Sequence, residues 1–124
     1  MIVDDTGRAL LVRKRGTTAF MQPGGKVDAG ETAVDALHRE LLEELAVRVT
    51  ASDVRSLGKR VAAAANEPGH LVHADLFMVT LRGDPVASAE IDEIAWIDPR
   101  EPGDIELAPL TRGAVFDLLR SETR

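Results

Sequence analysis

The chain has no cysteine, which excludes disulfide staples, thiolate catalysis and cysteine-based zinc sites. It has no tyrosine either, and its aromatics are Phe20, Phe77, Trp96 and Phe116. So few rings cannot build a multi-base stacking platform for single strands. A positive excess is also missing. The 15 basic and 21 acidic residues leave a net charge of −6, the opposite sign to a duplex-binding surface. Phosphate chemistry must then be done locally, by a few placed cations or a bound metal. No apolar run approaches the ~20 residues of a membrane span. The opening MIVDDTGR lacks the basic-then-apolar order of a signal peptide. These absences lead us to expect a cytoplasmic protein whose partners include neither a nucleic-acid polymer nor a membrane.

What is present suits a folded domain. Of 124 residues, 44% are hydrophobic and 29% charged, enough apolar surface to offset the entropy of ordering and to build one domain over residues 1–124. RALLVR over residues 8–13 reads as a strand, following the turn Asp5-Thr6-Gly7. Further strands are expected over residues 47–58, 71–81 and 91–97. Turns fall at Pro23-Gly24-Gly25, Asp28-Ala29-Gly30 and Asn66-Glu67-Pro68-Gly69; Ala62 to Ala65 is a short alanine run. Thr32, with Asp35 three positions on, signals a capped helix over residues 33–45. Its expected buried face is Val34, Leu37, Leu41 and Leu45. Pro109 suits the first turn of a last helix, with Leu110, Ala114, Val115 and Leu118 on its apolar face. Strands, helix, strands, helix make an α+β unit. Only Met1, Ile2 and Val3 precede the first turn, so any partner strand there is very short. The exposed edge is expected to be covered by a second copy of the chain, as a homodimer, or by residues ahead of Met1.

The first helix carries the chemistry. At 100° per residue, Glu43 lies about 60° to one side of Glu40 and Glu44 about 40° to the other, so the three carboxylates share an arc of about 100°. At ~6 Å each like-charged pair costs on the order of 1–3 kcal/mol, and Glu43 and Glu44 oppose the helix dipole. A solvated acidic face is the bland explanation. Convergence of the three on a hard cation such as Mg²⁺ or Mn²⁺ is the sharper one. Gly24-Gly25 adds a tight backbone approach, and Arg39 sits beside the cluster.

The run from Gly25 through Glu31 to Arg39-Glu40-Leu41-Leu42-Glu43-Glu44-Leu45-Ala46-Val47 resembles the Nudix box, in both spacing and identity. Five residues separate Gly25 from Glu31 and seven separate Glu31 from Arg39. One fixed position departs, with Ala46 where the family has glycine. The resemblance implies an α/β/α sandwich with a mixed β-sheet between helices. It implies that Glu40, Glu43, Glu44 and the Gly24 carbonyl bind the metal, Mg²⁺ or Mn²⁺, and that Glu31 pairs with Arg39 to hold the catalytic carboxylates. A further catalytic carboxylate is expected at Glu90, with Glu93 second. Arg13 and Lys14 resemble positions that meet substrate phosphate, and Phe20 and Met21 could line a base pocket. His38, His70 and His73 are read as structural or surface residues, and Trp96 and Phe77 as core.

The function so implied is Mg²⁺-dependent hydrolysis of a nucleoside diphosphate linked to another group. A small MutT-like member favours nucleoside triphosphates. No coenzyme A-type or NADH-type motif accompanies the box, and a chain without tyrosine cannot carry the marker of dinucleoside-polyphosphate hydrolases. Two other classes are weighed: a non-catalytic nucleotide sensor, which need not keep a destabilising glutamate cluster, and a small interaction domain, which need not keep the Gly25/Glu31/Arg39 spacing.

Overall fold

The computed structural model describes residues 1–63 and 67–122. Ala64, Ala65 and Asn66, read above as part of an alanine run and a turn, lie outside the described residues. Four strands, β1 (Ala9–Lys14), β2 (Val54–Ala63), β3 (Leu71–Val79) and β4 (Ile91–Ile97), combine with helix α1 (Ala33–Leu45) and a closing helix α2 (Phe116–Glu122). β1 pairs antiparallel with β4, and β2 with β3. Met1, Ile2 and Val3 join the two ladders. Ile2 bridges Val79 in parallel and Val3 bridges Ala9 antiparallel. The Val79 amide donates to the Met1 carbonyl at 2.8 Å and the Leu10 amide to the Ile2 carbonyl at 2.9 Å. The short opening segment thus lies between β3 and β1, and the sheet is mixed. Farther along β1, Met21 pairs with Val12, while Phe20 bridges Leu107 in parallel.

Side-chain alternation along β1 divides the core in two. Leu10 and Val12 face α1 and pack with Leu37, Leu41, Leu45 and Phe77. Ala9 and Leu11 face the other way, toward Leu76, Leu110, Val115 and Phe116. Helices on opposite faces of a mixed sheet give the α/β/α sandwich. Among the described residues no helix is long and apolar enough to cross a membrane.

Three expectations need correction. The strand placed over residues 47–58 begins only at Val54. Val47 is buried in the α1 core instead, its amide reaching back to the Leu41 carbonyl at 3.4 Å. Asp53 then winds residues 51–53 into a 3₁₀ turn by accepting from the Thr50 amide at 2.9 Å. Val34 is exposed, and Ala36 and Glu44 join Leu37, Leu41 and Leu45 on the buried side of α1. The last helix opens with a π-helical turn over Thr111–Val115. The extra residue in that turn rotates the buried stripe, so Thr111, Phe116 and Leu119 go inside with Leu110 and Val115, while Ala114 and Leu118 are only partly buried.

The α1 ends behave as their residues dictate. The Thr32 hydroxyl accepts from the Asp35 amide at 3.1 Å and Asp35 accepts from the Thr32 amide at 3.2 Å, a complete capping box. At the other end Ala46 adopts φ 57° and ψ 32°, the left-handed conformation that a Cβ disfavours. Ala46→Gly should therefore raise unfolding stability by about 1 kcal/mol, read as a higher urea midpoint. An unchanged or lower midpoint would show that this turn carries no strain.

Candidate active site

The last turns of α1 meet the loop over residues 22–31. Glu44 is 1% exposed although it is a carboxylate. Its Oε1 accepts the Gly24 amide at 2.9 Å, and its Oε2 is buried without a hydrogen-bond partner. Desolvation, with Glu40 and Glu90 adding repulsion, pushes its pKa up to about 7, although the Gly24 amide and Lys14 oppose the shift. The Glu40 carboxyl lies against Gly25, where a Cβ would come within 2.6 Å of its Cδ. Only glycine permits that approach. Gly25→Ala should displace Glu40 and cut turnover at least tenfold, with little change in global unfolding; full activity would show that Glu40 need not stand there.

Arg39 organises the loop. Its Nε and Nη2 grip Glu31 at 2.8 and 3.0 Å, its Nη1 donates to Glu40 at 2.7 Å, and its Nη2 donates to the Lys26 carbonyl at 2.9 Å. The guanidinium holds the Glu31 carboxyl below the usual carboxylate range, and the Asp28 amide, donating at 2.8 Å, assists. Glu43 is half exposed and leans toward the same Arg39 at 3.5 Å. The three glutamates thus share one helix end, Glu40 and Glu43 beside Arg39 and Glu44 on the Gly24 amide. Among the described residues no three Asp, Glu or His side chains gather as a cage. Arg39 holds Glu40 and reaches Glu43, the Gly24 amide holds Glu44, and Glu40 still repels Glu44.

Glu90 stands across from this helix end, 3.4 Å from Lys14 Nζ. Its loop is tied down on two sides. The Val86 and Ser88 amides cap the Leu45 and Glu44 carbonyls at 2.8 and 3.0 Å, and the Arg15 amide donates to the Glu90 carbonyl at 2.8 Å. Arg13 is engaged elsewhere, with Glu93 at 2.7 Å, Asp92 at 2.9 Å and the Thr17 carbonyl at 2.9 Å. Of the two basic residues, Lys14 faces the site and Arg13 does not.

A cavity of about 610 Å³ opens beside Gly24, its walls including Lys14, Met21, Gln22, Phe77 and Leu110. Met21 is one of its lining residues. Phe20 packs against the α2-side core and is not part of the lining. His73 also lines the cavity, whereas Trp96 packs against the α1-side core. Sequence reasoning missed Gln22 and Thr111, which are hydrogen-bonded across 89 positions. The only local sign was a polar residue directly before Pro23-Gly24-Gly25.

Fold and site together define an α/β/α domain in which a glutamate-rich helix end, clamped by an arginine, borders a cavity. The NUDIX domain family model matches residues 1–118, and the chain belongs to the Nudix hydrolase family. It is 36% identical over 99 residues to a Mycobacterium tuberculosis protein provisionally named 8-oxo-dGTP diphosphatase 2, covering 80% of this chain and 67% of that one. Two solved structures share the fold. The E. coli dihydroneopterin triphosphate pyrophosphohydrolase has a TM-score of 0.76 at 22% identity, over 97% of this chain and 91% of its own. A MutT/nudix family protein from Enterococcus faecalis has a TM-score of 0.76 at 16% identity, with this chain spanning 58% of its length.

Proposed function

We propose that this chain is a Mg²⁺-dependent pyrophosphohydrolase acting on nucleoside triphosphates. The observation that carries the reading is Glu44: a buried carboxylate with one oxygen on the Gly24 amide and the other unpartnered. A buried anion left so is costly unless a cation completes it. The close seat of Glu40 on Gly25 fits the same use. Glu40, Glu43, Glu44 and the Gly24 carbonyl would hold the ion, all oxygen donors of the kind that Mg²⁺ or Mn²⁺ takes. When bound, the ion neutralises the diphosphate charge and lowers the pKa of a water.

The chain's own residues do the rest. Arg39, through Glu31 and the Lys26 carbonyl, fixes the loop that carries Gly24 and Gly25. Lys14, on the cavity wall, meets substrate phosphate. Glu90 accepts the proton of the water that attacks phosphorus in line. Met21 and the apolar cavity walls take the base. The M. tuberculosis relative's name, a diphosphatase of an oxidised deoxyguanosine triphosphate, agrees with a nucleoside triphosphate here.

A panel of nucleoside triphosphates with Mg²⁺, scored for pyrophosphate and monophosphate release, tests the reading. We expect turnover with at least one of them, abolished by EDTA and restored by Mg²⁺ or Mn²⁺. Tight binding without turnover would favour a sensor; turnover indifferent to EDTA would remove the metal from the scheme.

A further inference from the structure

Gln22 is fixed on both sides by the main chain. Before it, Met21 exchanges both backbone hydrogen bonds with Val12, at 2.8 and 2.9 Å. After it come the rigid Pro23 and the Gly24 amide that binds Glu44. Its side chain is fixed as well. Thr111, fully buried in the π-helical turn, donates its hydroxyl to Gln22 Oε1 at 2.5 Å. A buried hydroxyl must find a partner, and here it takes Gln22 Oε1. With Oε1 taken, the Nε2 donor is turned outward. It makes no hydrogen bond to any described residue and is not enclosed, and Gln22 lines the 610 Å³ cavity.

We propose that Gln22, oriented by Thr111, is the residue that selects the nucleobase, and that it selects bases carrying a ring carbonyl over bases carrying an amino group at the same position. This deepens, and rests on, the nucleotide-hydrolase reading above. A guanine- or thymine-type base offers a carbonyl acceptor where adenine or cytosine offers an N–H donor. A fixed N–H donor pairs with the first and is left facing a second donor by the other. Sites built this way discriminate through the unpaired group. Gln22 touches the base and Thr111 is a positioning residue. The π-helical turn holds Thr111 fully buried beside Gln22.

The test compares kcat/KM for dGTP and dTTP with that for dATP and dCTP. The wild-type protein should favour the carbonyl bases by about tenfold or more. Gln22→Glu keeps an oxygen for the Thr111 hydroxyl but turns an acceptor outward, so the preference should reverse. Thr111→Val frees the amide to flip, and the ratio should fall to within about threefold of unity, while Thr111→Ser restores it. A merely structural threonine would change turnover of all four nucleotides together and leave the ratio untouched. Equal wild-type use of both base types, or a ratio that survives Gln22→Glu, overturns the assignment while leaving the hydrolase reading in place. Failure of the folded wild-type protein to cleave any triphosphate removes the hydrolase reading, and this inference with it.

Discussion

Replacing Glu44 with glutamine is expected to reduce turnover on the order of a thousandfold and, in metal-free buffer at pH 8, to make the protein more stable. The two effects have one cause. The Glu44 pKa is pushed from 4.5 to about 7 in the folded chain by burial. Below pH 4.5 the group is protonated in both folded and unfolded states, and its ionisation costs the fold nothing. As pH rises toward 7 the unfolded chain ionises first, so the folded state loses stability over that interval. Once both states are ionised, the loss amounts to about 3 kcal/mol. The glutamine variant has no such slope. Its amide can still accept from Gly24, but its buried NH₂ replaces the unpartnered Oε2 and recovers only part of the difference. A net gain of about 1–2 kcal/mol at pH 8 is expected, vanishing below pH 4.5. Added Mg²⁺ should reverse the order, because ligation stabilises the form that binds it. Urea titrations at pH 4, 6 and 8, with and without Mg²⁺, supply the check. Near-normal turnover, or wild-type stability that stays flat from pH 4.5 to 8, would contradict the role given to this carboxylate.

The parts of this site that could be read in the sequence are those set by local spacing. The Thr32/Asp35 capping box fixes where α1 starts, and the Glu31–Arg39 ion pair is what the resemblance to the Nudix box implies. The start of β2 could not be read so well. Residues 47–58 look strand-like throughout, and a single side chain, Asp53, turns the first part into a 3₁₀ turn that also receives Arg82 at 2.6 Å. The rotation of the last helix escaped too, since a π-helical turn has the same composition as an α-helical one. Gln22 and Thr111 belong to segments joined only by the fold, and their contact has no sequence period. The shared arc of Glu40, Glu43 and Glu44 was legible. The division of their carboxylates between Arg39 and Gly24 depends on where the loop falls, and helical geometry alone does not contain that information.

Arg39→Ala should be the most damaging single change to the loop and should also lower turnover. One guanidinium grips Glu31 with two hydrogen bonds, donates to Glu40 at 2.7 Å and to the Lys26 carbonyl at 2.9 Å, and lies 3.4 Å from Asp28. These contacts raise its own pKa well above the usual guanidinium range. Removing it leaves Glu31 and Glu40, both largely shielded from solvent, without a counter-charge next to Glu43 and Glu44. Here Arg39 is 27% exposed and Glu31 19%, so solvent screening keeps the expected loss of stability below that of breaking a fully buried pair. The Glu31 pKa lies below its ordinary value, so the pair's contribution is present above pH 4.5 and fades on acidification. The stability gap between wild type and variant should therefore narrow below that pH. Without the clamp, Gly24 and Gly25 lose their fixed distance from Glu44 and Glu40, and misplacement of that kind costs about a hundredfold in kcat. Lysine cannot rescue it, because a single ammonium does not reproduce a planar fork that bonds two oxygens of Glu31 and reaches Glu40 at once. Arg39→Lys should recover part of the stability and little of the turnover. An alanine variant that unfolds like the wild type and keeps its kcat would mean that the loop is held by something other than this guanidinium.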